Sequence, residues 1–152
     1  MRGKQWIWVI GSIVVIGVAV LAMVAGGDSE STPRRAALSQ AGCTSSEAVK
    51  ITGKLRDPAQ RAADAINLIL SASRPALTDI AADMQAIRRD VTGAEIPPCG
   101  ERVRALMVDA LDAEIDGILL LQAGANEAAA DKLDEATRIN LLLPDEIARL
   151  VP

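Results

Sequence analysis

The residues of this sequence that could do chemistry are few: Cys43 and Cys99, the oppositely charged Arg88 and Glu114, and the aspartates Asp109, Asp112 and Asp116. The two cysteines could form a disulfide. An even cysteine count in an exported domain suggests pairing, and closing a loop of that length restricts the unfolded chain, worth roughly 4 kcal/mol in the loop-entropy picture. The competing reading is two unrelated buried thiols in a cytoplasmic domain. A tetrahedral metal site is poorer, because two thiolates need further ligands and the chain has no histidine.

On a helical wheel Glu114 falls within about 20° of Val103, so a carboxylate lies in the middle of an apolar stripe. Buried without a partner it would be driven toward its neutral form and could act as a general acid. Arg88 sits at the edge of the apolar face of the preceding helix. An interhelical Glu114–Arg88 ion pair, or an edge residue reaching out to water, is therefore the favoured reading. Asp109, Asp112 and Asp116 share the opposite face and could in principle hold a hard cation. Exposed acidic helix faces are commoner and no calcium-loop pattern accompanies them, so no metal and no cofactor is expected. The serines lack a histidine or a convincing lysine to activate them, Lys50 and Lys54 reading as a solvated helix edge. No catalytic site is expected, and the chain is read as not an enzyme.

These groups must be positioned by an all-α domain built almost without aromatics. Trp6 and Trp8 are the only aromatic residues, and both precede the domain. The core must pack from Ala, Leu, Ile, Val and Met, without the flat faces that stack sugars or bases and without the anchors that often dominate interfaces. All 20 acidic residues, and all of the 16 basic ones except Arg2 and Lys4, follow residue 25, so the domain is net acidic. Such a surface repels phosphate backbones, and no nucleic acid partner is expected.

From Trp6 to Ala25 no charged residue occurs. At about 1.5 Å per residue a helix over residues 6–25 spans roughly 30 Å, enough to cross a hydrocarbon core, with the tryptophans at its interface. The alternatives are a cleaved signal peptide, whose apolar run is usually shorter, and a lipoprotein at Cys43, which Gln40 and the distance from the apolar run disfavour. Residues 1–5 then form a short cytoplasmic tail, and the polar residues 26–42 a flexible linker. Residues 43–152 form a domain outside the cytoplasm, at the cell envelope or extracellular face. The charge rule nearly ties, with Arg2 and Lys4 against Arg34 and Arg35, so the cysteines supply the stronger argument for export. Gly11, Ser12 and Gly17 leave homo-oligomerisation open.

Within the domain, Asp57–Pro58 reads as a helix start running to about Ala72, preceded by a shorter helix from Ser46 to Leu55. Ser73, Arg74 and Pro75 start the next helix, whose stripe of Leu77, Ile80, Ala81, Met84, Ile87 and Val91 is the clearest amphipathic pattern in the chain. After Ile96-Pro97-Pro98-Cys99-Gly100 the longest helix runs from Glu101 to about Ala123, burying Val103, Leu106, Met107, Ala110, Gly117, Ile118 and Leu121. Gly124 stops it, and Asn126 caps another whose buried face is Ala129, Leu133, Ala136, Ile139, Asn140 and Leu143. A last turn, Asp145 to Leu150, brings Ile147 and Leu150 inward. Short loops make such helices antiparallel neighbours. The expected architecture is an N-terminal single transmembrane helix, a flexible linker and a small antiparallel bundle of three to five helices.

Gly117, Leu120, Gly124, Ala129, Leu133 and Ala136 fall at spacings that resemble the tetratricopeptide helix pair. Members of that family bind peptides in the groove of successive repeats. Sliding the template back by about 34 residues puts Asp83, Glu95, Cys99 and Arg102 at key places, so there is no second copy, and a lone repeat cannot bury its own face. The small residues are those any close helical hairpin needs. The expected function is a membrane-tethered, non-catalytic module acting through contacts with an unknown protein partner; the alternative is an extracytoplasmic small-ligand or metal-binding sensor, with Glu114 or Arg88 lining its pocket. A cavity around Glu114 would favour the sensor, and an exposed apolar patch at Leu141–Leu143 the partner surface.

Overall fold

The computed structural model describes residues 42–69 and 71–150. The expected tail at 1–5, the membrane span at 6–25 and all of the linker except Gly42 lie outside them. Five α-helices follow in order: α1 (Ser45–Ile69), α2 (Arg74–Thr92), α3 (Glu101–Ala123), α4 (Asn126–Asn140) and the short α5 (Leu143–Ala148), with a 3-10 turn at Pro98–Gly100. No strand occurs among the described residues, and none of these helices is long and apolar enough to cross a membrane.

Thr44 and Glu47 start α1 with reciprocal hydrogen bonds. The Thr44 N–H donates to Glu47 Oε2 at 2.8 Å, and the Glu47 N–H donates to Thr44 Oγ1 at 3.3 Å. This capping box satisfies backbone donors that a helix start leaves free, and it holds the Glu47 carboxyl below its usual pKa. The helix then continues unbroken through Pro58, where the sequence suggested a new start. Proline costs an interior helix one hydrogen bond and a steric clash. Here Ile51, Leu55, Pro58, Ala62 and Ala65 are all buried at alternating spacings of four and three. The apolar stripe keeps its phase across the proline, so packing sustains the helix where a local rule would end it.

The stripe of α2 is buried throughout, with Met84 and Val91 fully enclosed. Each such aliphatic side chain contributes about 1.5–3 kcal/mol on burial. Between α2 and α3, Gln122 donates to Thr78 Oγ1 at 2.6 Å near one end, and Arg88 reaches Asp112 nearer the other, which makes the pair antiparallel. The Arg104 guanidinium donates to the Ala94 carbonyl at 3.1 Å and closes the C-terminal end of α2.

Helix α3 ends in a Schellman motif: Gly124 N–H donates to the Leu121 carbonyl at 3.0 Å and Ala125 N–H to that of Leu120 at 2.9 Å. Gly124 has φ +81°, a left-handed conformation that favours glycine. The chain reverses into α4, which begins at Asn126 itself rather than being capped by it, and ends at Asn140, a turn earlier than the sequence pattern suggested. Helix α5 starts at Leu143 with Pro144 in its first turn, and Leu150 just beyond it enters the core as expected.

Helices α1 to α4 pack chiefly on their neighbours in sequence, α5 packs more on α3 than on α4, and α4 lies along α3 on the side away from the main core. The core is a single aliphatic cluster of α1, α2, one side of α3 and Leu150. Val103, Met107, Leu111, Ile115 and Ile118 are α3's contribution. Leu106, Ala110 and Ala113 are buried outside that cluster. The apolar arc of α3 is thus wider than the sequence stripe, which omitted Leu111 and Ile115.

Candidate functional site

Cys43 and Cys99 form a disulfide with a Cα–Cα distance of 5.5 Å. It ties the residue just before α1 to the 3-10 turn that leads into α3. Gly100 beside it lies so close to Ile51 that a Cβ there would stand 2.6 Å from the Ile51 side chain. A cleft of about 590 Å3 opens next to the disulfide, bordered by Arg102, Val103, Glu146, Arg149 and Leu150 among others. Its charges are largely spoken for. Arg149 donates to Glu146 at 2.8 Å, and Glu101 is held by Arg104.

Arg88 and Glu114 do not meet. Arg88 instead forms a two-pronged ion pair with Asp112, with Nη2 to Oδ2 at 3.0 Å. Arg88 lies at the rim of α2, and the carboxylate within its reach is the half-exposed one on α3 rather than the buried one. That pair uses the middle member of the three aspartates, while Asp109 and Asp116 are exposed. Among the described residues no group of three or more ligating side chains comes together to hold a metal.

Glu114 remains in the seam between α3 and α4, 9% exposed. Asn140 Nδ2 donates to its Oε1 at 3.1 Å. Burial raises the carboxyl from 4.5 to about 7, the Asn140 amide pulling the other way. The carboxylate is thus poised near neutrality by desolvation, without a cation beside it. Sequence reasoning placed Asn140 on the buried face of α4 but did not pair it with Glu114. The available signal was one polar residue on each of two facing stripes of a hairpin.

The close hairpin itself is present. A Cβ at Gly117 would stand 2.9 Å from Leu133 and 3.4 Å from the Ala129 carbonyl, so glycine is what lets α4 approach α3 so closely. Directly after Asn140, Leu141 and Leu142 are 54% and 49% exposed. Leu143 turns inward against the core, so the outward pair is shorter than the three leucines considered from the sequence. Compared with known proteins, the chain matches no family model, no curated protein and no solved structure.

Proposed function

We propose that this chain is a membrane-tethered, non-catalytic helical module outside the cytoplasm, anchored through residues 6–25, that works by contact with another protein. The observation that carries the reading is the Leu141–Leu142 pair, held in solvent at the turn between two helices while the neighbouring Leu143 is drawn inward. Unlike the isolated exposed Val49 and Leu68, these two leucines are adjacent, and contiguous apolar surface is what marks a contact site. The disulfide suits an oxidising compartment. The sensor alternative has less support, because Glu114 does not line the cleft beside the disulfide.

Two measurements test this. A membrane-impermeant maleimide applied to intact cells should label Cys43 and Cys99 only after reduction; thiols protected until lysis would place the domain in the cytoplasm. A photo-crosslinker at Leu142 should then give a discrete protein adduct that the same probe at Asp131 does not. Equal adducts at both positions, or none at Leu142, would remove the contact reading.

A further inference from the structure

We infer that Glu114, buried where Asn140 ends α4, is a proton-operated latch whose neutral form lets the C-terminal end of α4 and the Leu141–Leu142 corner close against α3. Asn140 is the last residue of α4, so its bond to Glu114 fastens the helix at the point where the corner begins. Helix α4 packs extensively along α3, with Leu133 against Gly117. Its fully buried residues are Ala129 and Ala136, whose small side chains remove little apolar area from water. Both precede the C-terminal end of the helix, where Glu114 is the group against α4 that titrates.

Among the described residues no positive charge pairs with the ionised form of Glu114. Arg88 of α2 is committed to Asp112 of α3, Lys132 of α4 to Glu135, and Arg149 after α5 to Glu146. Arg138 of α4, Asp145 of α5 and Asp116 of α3 are exposed, and Asp134 of α4 is half-buried. Burial and the Asn140 amide alone set the carboxyl near 7. A neutral acid is tolerated in the closed seam at far lower cost than a carboxylate, which gains by reaching water. Because the closed-state value lies above the ordinary 4.5, the latch is strongest below that pH, weakens as pH rises toward about 7, and levels off beyond it. Between pH 5 and pH 8 the opening equilibrium shifts by up to roughly 70-fold if the open state fully hydrates the group.

Hydrogen exchange of the full chain at pH 5 and pH 8, corrected for the intrinsic pH dependence of amide exchange, tests the latch. The expected result is a loss of protection, up to roughly 70-fold, confined to the end of α4 and to α5, with α1 and α2 unchanged. In Glu114→Gln, which keeps an acceptor for Asn140 but cannot ionise, the same segments should show no pH dependence. A loss spread evenly over all helices, or an undiminished pH effect in Glu114→Gln, would overturn the latch. The wild-type pattern decides by itself should that variant not fold. Control of partner binding by the latch rests on the proposed contact at Leu141–Leu142. Local, pH-dependent exchange without any adduct at Leu142 would sink the partner reading and leave the latch standing; uniform exchange with the adduct intact would do the reverse.

Discussion

The two sides of α3 are built on opposite plans. Toward α1 and α2 it presents Val103, Met107, Leu111, Ile115 and Ile118 to branched and long aliphatic side chains, in a seam stapled at one end by Cys43–Cys99. Toward α4 it presents a glycine to a leucine and a carboxylate to an amide. The first seam gains its stability from apolar area, which pH does not change. The second relies on close approach and one polar contact, so its strength depends on protonation. One helix thus belongs to a firm unit and, on its other side, to an adjustable one.

That contrast can be broken or sharpened by four variants. Replacing both Cys43 and Cys99 by alanine should cost the most, roughly 4 kcal/mol in denaturant unfolding; an unchanged midpoint would mean that the staple adds nothing to the aliphatic seam. Ile118→Ala, at a fully enclosed position, should cost about 3.5 kcal/mol by the transfer and cavity terms, and by the same amount at pH 5 and pH 8. A strongly pH-dependent loss there would erase the distinction between the seams. Gly117→Val drives a side chain into Leu133 and should cost about 2 kcal/mol by overpacking, with thermal unfolding as the readout. A neutral outcome would show that α4 can shift freely along α3. Asn140→Ala leaves the buried Glu114 without its donor and should cost about 1.5 kcal/mol, more at pH 8 than at pH 5, since only the ionised acid depends strongly on that donor. Equal losses at both pH values would separate the amide from the titration.

The firm seam was the legible one. The stripe of α2 from Leu77 to Val91 reads directly as a buried face, and the cysteines pair as the even count suggested. What escaped reading were contests between local and distant forces. Asp57–Pro58 carries a local start signal, yet the stripe running from Ile51 to Ala65 is in phase across it, and packing outweighs the lost backbone bond. Arg88 and Glu114 were matched because each lies near an apolar face. The Arg88 guanidinium found the nearer, better hydrated Asp112, while Glu114 was left to a neutral amide. Burial, which decides such choices, depends on how far each side chain lies from the rim, and helical spacing alone does not give that distance.

The placement of the disulfide also governs how the domain would carry a load. A pull on the chain before Cys43 meets a covalent branch before it reaches α1, and passes through sulfur to Cys99 at the root of α3. The span between the cysteines, which lie 56 positions apart and enclose all of α1 and α2, is shunted out of the force path. Stretching could draw out only the chain beyond Cys99. A tether attached there would tug on the stem of α3, the most extensively packed helix though two residues shorter than α1, while the first two stayed folded and slack, and the domain's reach under tension would be set by the redox state of one bond.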